Sequence, residues 1–352
     1  MSERMQSTAT ERTYLTRLLR AFVTGGSAPT TTGPIGWDRF QLVLRSNGLT
    51  PIFHHCAGRV GIPPEVVEAS RRVALRSLAR NGVYTRATVR LFAMLEDASV
   101  PALALRGVVL SHSIYDDPLL RPMTDVDVLV AKRSAPRIVA ALGQHGYTPV
   151  TISRNQLVYR IDGCKMEIHW NLIKRILPRD FEPWIATRRR LTTSHGDLFG
   201  LSPSHELIAL VCHGFIHHDV DTLLKVVDIA LLCHKEPVDW PYVRAWCTRQ
   251  SLDRIFAFTF GLTDHLLGTR LHAELGVGKP YGSSTDRIFE SYATRLFGHD
   301  RRRDLLRRRM NFLRLAQGTR AKLRMLRRFL RNRDLQNLVT PGFDTRRAFQ
   351  RS

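Results

Sequence analysis

Apolar positions recur with a period near 3.6 close to the start of the chain, where Tyr14, Leu15, Leu18, Leu19 and Phe22 fall on one helical stripe. A long helix is predicted over residues 64–95, with Pro63-Pro64 marking its start. The pattern changes at Pro101. Residues 102–105 form a short apolar run ending in Arg106-Gly107, a helical stretch follows, and residues 125–130 read Asp-Val-Asp-Val-Leu-Val, so the order is strand, helix, strand. Ser134 and Pro136 predict the cap and first turn of another helix, closed by Gly143 and Gly146, and residues 147–152 read as extended. Residues 156–161 and 164–170 flank Asp162-Gly163, a two-residue pair that strongly signals a hairpin. From Ser204, a predicted N-cap, the helical period returns with Leu207, Leu210, Val211 and Phe215 on one stripe. A second helix is predicted over 222–233, with helices continuing almost to the end. These patterns predict an α+β fold with a helical region over 1–98, an α+β core over 99–200, a second helical region over 201–300 and a helical tail over 301–352.

Bulk composition adds limits. At 352 residues and 43% hydrophobic content the chain can bury a sizeable core. No apolar run approaches the roughly 20 residues that span a bilayer, and the N-terminal stretch lacks an apolar core followed by a small-residue cleavage site. A cytoplasmic location is expected. Cys56, Cys164, Cys212, Cys233 and Cys247 are odd in number, widely spaced and without a CxxC pair, so neither a disulfide framework nor a zinc knuckle is expected. The net charge of +22 points to an anionic partner, whether nucleic acid, nucleotide or membrane surface. Residues 301–340 hold fourteen Arg or Lys against Asp304 and Asp334, giving this segment +12 of the total. Within it, residues 312–330 have the pattern of a basic amphipathic helix, able to lie on an anionic surface or to pack its apolar stripe on the domain.

Candidate chemistry centres on the acidic strand. Alternate residues of a strand share a face, so Asp125 and Asp127 project together while Val126, Val128 and Val130 face the packed side. The same alternation in the second hairpin strand puts Lys165, Glu167 and His169 on one face, making Glu167 a third carboxylate. Mg²⁺ takes hard oxygen ligands and is commonly held by a few carboxylates together with substrate phosphates. Two carboxylates on one face repel without a cation, so Asp127→Asn is expected to gain slightly in stability.

Three blocks of the sequence carry a family resemblance: Leu105-Arg-Gly107, Tyr115-Asp-Asp-Pro118 and the run Leu120 to Val130, followed later by Glu167-Ile-His169-Trp170. Together they resemble the polymerase-β-type nucleotidyltransferase superfamily, and within it a bacterial group of uncharacterised nucleotidyltransferases, over roughly residues 70–250. The resemblance implies a mixed sheet flanked by helical regions, with Asp125 and Asp127 as Mg²⁺ ligands and Glu167 as a further ligand or the base. It also implies a nucleoside triphosphate, ATP by preference, as substrate, with Arg106, Gly107, Ser111 and Arg121 placed to contact it. Gly107 is followed by Val108 rather than a second small residue, and Ser111 is the nearest hydroxyl, a departure from the usual phosphate-binding pair.

Weaker features have plainer readings. Arg121 either neutralises phosphate or pairs with Asp116 or Asp117; His213 and His217, four apart on a helix, read as histidines satisfied between helices; His169 reads as a hydrogen-bonding neighbour of Glu167. Asp228, mid-helix among apolar residues, is expected to cap or pair. The reading that emerges is transfer of a nucleoside monophosphate from an NTP to an acceptor hydroxyl, the acceptor being RNA, a protein or a small molecule. The alternatives are a non-catalytic nucleic-acid-binding protein on the same scaffold, and phosphoryl transfer at the same metal site.

Overall fold

The computed structural model describes residues 3–298 apart from 28, 31–32, 58–61, 154, 172–181, 218–219 and 277–283, together with Leu315. The basic segment 301–340 and the helix expected over 312–330 therefore lie outside the described residues, except Leu315, which is buried.

Helices α1 (Glu3–Thr24), α2 (Trp37–Asn47), α3 (Thr50–Ala57) and α4 (Pro64–Asp97) precede the first strand. Tyr14, Leu15, Leu18 and Leu19 bury the stripe foreseen for α1, and α4 starts with Pro64 in its first turn, where the missing N–H costs nothing. The sheet has seven strands, β1 (Ala102–Leu105), β2 (Val126–Val130), β3 (Thr151–Ile152), β4 (Gln156–Ile161), β5 (Cys164–His169), β6 (Arg189–Thr193) and β7 (Gly196–Gly200), in the order β3-β4-β5-β2-β1-β7-β6. It is mixed: β2 runs parallel to β5 and β1 to β7, and the other neighbours are antiparallel. Asp162 and Gly163 turn the β4–β5 hairpin with φ of 50° and 79°, the left-handed pair that this two-residue turn demands.

Three local expectations change. Only Thr151 and Ile152 of the stretch 147–152 form a strand, an exposed edge with no core to face. The cap of α8 (Pro203–Val211) is Ser202, because Pro203 suits the first helical position; Ser204 instead accepts a hydrogen bond from the Asp239 N–H at 2.8 Å. The hairpin of β6 and β7 was not foreseen, since Leu191 and Leu198 are the only large side chains it buries and they show no period.

Alternation splits the sheet into two faces. Val126, Val128, Val130, Met166, Ile168 and Tyr159 join Leu91 and Leu95 of α4 and Ile138 and Leu142 of α6 (Ala135–Gln144) in one core. Leu103, Leu105 and Leu129 point the other way, into a larger core with α1 to α3, α7 (Glu182–Ala186), α8, α9 (Leu223–Lys235), α10 (Trp240–Gln250), α11 (Asp253–Leu267), α12 (Leu271–Leu275) and α13 (Thr285–Leu296). Each fully buried Leu or Val contributes roughly 1.5–3 kcal/mol, so both faces hold β2 in place. On this second face a cleft lies beside Asp127 and Glu167, walled on its other side by residues of α8 and α9 such as Leu210 and Lys225. No helix among the described residues is long and apolar enough to cross a membrane, and none of the five cysteines forms a disulfide.

Candidate active site

The register of β2 and β5 places Asp127 directly opposite Glu167, and that of β1 and β2 places Leu105 opposite Asp127. Burial along β5 alternates strictly, with Cys164, Met166 and Ile168 inside and Lys165, Glu167 and His169 partly open, as the period of two requires. One cleft of about 500 Å³ is lined by Asp125, Asp127, Glu167 and His169 on the sheet side. Its other walls include Arg106, Arg121, His213 and Lys225. Donor atoms of Asp127, Glu167 and His169 all lie within 4.8 Å of one another, the spacing of a metal-binding group. Asp125 shares the cleft but stands outside that compact group.

Arg106 shapes the site through its backbone as much as its charge. It leaves β1 with φ 54° and ψ −114°, a conformation sparsely populated by L-residues, and is held there from two sides. Its N–H donates to Glu206 Oε1 at 3.0 Å, and its Nε donates to Asp127 Oδ2 at 3.1 Å, with Nη2 in an ion pair to the same oxygen. Gly107 then opens α5 (Gly107–Ser113); a Cβ there would sit 3.1 Å from Arg121 Nη1 and 3.2 Å from Met123 Cγ, so a side chain would crowd the cleft wall.

His169 bridges the two facing carboxylates, its Nε2 lying 2.8 Å from Asp127 Oδ1 and 3.4 Å from Glu167 Oε2, while Lys165 donates to the other oxygen of Glu167. Burial pushes Asp127 up, but Arg106 and the His169 hydrogen bond outweigh it and hold its carboxyl well below the usual range. The His169 hydrogen bond likewise brings Glu167 down to about 2. Asp125 goes the other way, raised by burial and then by its neighbours Asp127 and Glu167. For His169, burial is outweighed by hydrogen bonds to both carboxylates, and its pKa is raised. Asp127 and Glu167 are thus paired with cations of the chain itself, a pairing that the alternation of the strand did not disclose.

The remaining residues singled out in the sequence are placed as follows. Arg121 takes neither Asp116 nor Asp117 but Asp228, with Nη2 to Oδ2 at 2.8 Å; the Tyr115 hydroxyl donates to Asp228 Oδ1 at 2.8 Å, and Asp228 is 0% exposed. Asp116 pairs with Lys235, and Asp117 caps the turn Pro118–Leu120. Arg121 therefore reaches the cleft with its charge already compensated. Ser111 does not reach it at all: α5 turns the hydroxyl inward, where it donates to the Val108 carbonyl at 3.0 Å in a fully buried position. His213, expected between helices, lines the cleft, because α8 runs into a π-helical turn at Cys212–His217; the His217 side chain is outside the described residues. A π turn at such a position is a recurrent companion of functional sites. Lys225 and Glu206 went unnoticed in the sequence, since each lies on a helix among apolar residues with nothing local to mark it.

Residues 33–268 match the protein family described as uncharacterised nucleotidyltransferase. The chain is a member of that family. No curated protein matches this nucleotidyltransferase-family chain. Among solved structures, the antibiotic-resistance factor ANT(2'')-Ia in solution is similar over 50% of this chain and 94% of its own, at 9% identity and a TM-score of 0.35. The crystal structure of ANT(2'')-Ia with adenylyl-2''-tobramycin covers 47% and 99% at 11% identity and a TM-score of 0.37. An antigenic nucleotidyltransferase-like protein from Paracoccidioides brasiliensis covers 42% and 75% at 15% identity and a TM-score of 0.31.

Proposed function

We propose that this family member transfers a nucleoside monophosphate from an NTP, ATP by preference, to an acceptor hydroxyl and releases pyrophosphate. The observation that carries the reading is the convergence of Asp127, Glu167 and Asp125 in one cleft that also presents Arg106 and Lys225. The donor set fits Mg²⁺: Asp127 and Glu167 are kept ionised, face each other across neighbouring strands and offer hard oxygens. They would hold the ion, with Asp125 as the third carboxylate beside them, and the ion when bound would offset the charge of the triphosphate.

In the reaction the acceptor oxygen forms a bond to the α-phosphorus, the bond from that phosphorus to the β-phosphate oxygen breaks, and pyrophosphate carries the electron pair away. The acceptor proton needs a base. Glu167 at about 2 is a weak one, whereas Asp125, raised by burial and outside the compact group, is better matched to the task. Arg106, paired with Asp127, and Lys225, paired with Asp221 at 2.5 Å, line the cleft and would face the phosphates with part of their charge, and His169 keeps Asp127 and Glu167 oriented. Gly107 leaves the wall beside Arg106 open.

The test is incubation of the pure protein with α-³²P- and γ-³²P-labelled NTPs, Mg²⁺ and a cell extract. Mg²⁺-dependent labelling from the α position alone supports nucleotidyl transfer. Labelling from the γ position would make it a kinase-type phosphoryl transferase. Absence of labelling from either, with tight nucleic-acid binding retained, would favour the non-catalytic scaffold.

A further inference from the structure

Helix α4 carries a feature that the proposed chemistry does not use. Arg72, Arg76 and Arg80 are exposed and spaced four apart, and the next residue in the same row is Tyr84. At 3.6 residues per turn such a row winds slowly around one side of the helix, its members about 5–6 Å apart at Cβ. Among the described residues none of the three guanidiniums has a carboxylate partner, whereas Arg71 and Arg90 on the same helix pair with Glu68 and Asp162. Like charges at this spacing destabilise a helix, so the row is a local cost that an anionic partner would offset.

The row leads to the cleft. Tyr84 donates its hydroxyl to the Thr124 carbonyl at 2.6 Å, and Thr124 lines the cleft next to Asp125. One turn away on the inner side, Asn81 donates to the carbonyls of Pro118 at 2.7 Å and Arg121 at 2.9 Å and accepts from the Met123 N–H. The segment that walls the cleft is therefore fastened to α4, and the distance from the arginine row to the carboxylates is fixed by hydrogen bonds. The exposed Leu75 and Leu78 lie around the helix on the flank away from Tyr84 and the exposed Val83 falls within the arc of the arginines, so the row presents three charges to a single valine. This favours a string of phosphates over a lipid surface, which would engage the apolar flank as well.

We propose that Arg72, Arg76 and Arg80 form a docking track for a single-stranded nucleic acid, RNA in the first instance, whose terminal hydroxyl is the acceptor in the cleft. The inference rests on the nucleotidyl-transfer reading for its acceptor role, but the binding itself can be measured without NTP or metal. The probe is a short fluorescein-labelled single-stranded RNA with a free 3′-hydroxyl, titrated by anisotropy at several KCl concentrations against the full chain and against R72Q/R76Q/R80Q. Three lost phosphate contacts should weaken binding about tenfold or more at moderate salt and flatten the slope of log K against log salt by roughly 2. The variant should melt at or above the temperature of the parent and keep Mg²⁺-dependent NTP binding, since none of the three residues touches the cleft carboxylates. In the labelling assay the same RNA should accept label, and a 3′-phosphate version should not.

Equal affinity and equal salt slope in the two proteins would overturn the track. So would a loss confined to phosphatidylserine vesicles, which would make the row a membrane contact. RNA that binds through the row but is never labelled, while another acceptor is, would overturn the acceptor assignment and leave nucleotidyl transfer standing.

Discussion

Replacing Asp127 by Asn preserves the side chain's shape and removes the charge on which Arg106 and His169 both converge. Repulsion between neighbouring carboxylates alone would make this change mildly stabilising. The structure reverses the sign, because Asp127 is already compensated: the side chains of Arg106 and Asp127 are 10% and 14% exposed, so their pairing is little screened. Leaving Arg106 without its partner should cost about 3–5 kcal/mol, which lowers Tm by about 4–7 °C for a chain of this size. The pH dependence has a definite direction. Asp127 has a depressed folded pKa, so its contribution is present above the ordinary carboxylate range and is lost as pH falls through its folded value. The deficit of Asp127→Asn should therefore be full at neutral pH and shrink in acid. Thermal melts of the parent, Asp127→Asn, Arg106→Gln and the double variant form a cycle, in which the two single losses should overlap by about 1–3 kcal/mol. An Asp127→Asn protein as stable as the parent at neutral pH, or losses that simply add, would refute the pairing. Labelling from α-³²P NTP should be abolished in every variant lacking the Asp127 carboxylate.

Glu206 provides a separate pH test. It is fully buried and pushed up to about 7 by burial, so folding loses stability as pH rises from the usual glutamate range to about 7; Glu206→Gln should remove that slope in melts and gain up to about 3 kcal/mol at pH 8. Arg121→Met leaves Asp228 buried and uncompensated, which should cost about 3–5 kcal/mol in denaturant unfolding, and adding Asp228→Leu should recover most of it. Gly200→Ala would bring a Cβ within 2.9 Å of Val109 Cγ1 and should destabilise by about 1–3 kcal/mol, read by the midpoint of urea unfolding.

The hairpin and the acidic strand were legible because both are written in short-range terms. Asp162-Gly163 names its own turn, and the alternation of Asp125 to Val130 assigns faces without knowledge of any neighbour. The same alternation put Glu167 on the open face of its own strand, and the parallel pairing of β2 with β5 then sets it opposite Asp127. The pairings that determine charge in the cleft were not legible, since they join distant parts of the chain: Arg121 finds Asp228, which lies 107 positions away, although two aspartates stand close by in sequence. Ser111 was misplaced because one rotation of α5 decides whether a hydroxyl faces cleft or core, and no periodicity fixes that angle for a helix of 7 residues. The strands β6 and β7 escaped for a different reason, being an edge hairpin whose pairing with β1 is set by the tertiary fold rather than by apolar content.

The position of β2 as the fourth of seven strands has a consequence for how the protein fails. Amide protons that bridge β2 to β1 and β5 can meet solvent only when the sheet itself comes apart, so their exchange with deuterium should require the full free energy of unfolding. Peripheral turns can fray without disturbing the carboxylates. Heat inactivation should then be as abrupt as the loss of the fold, with no intermediate that keeps the sheet but has lost its site.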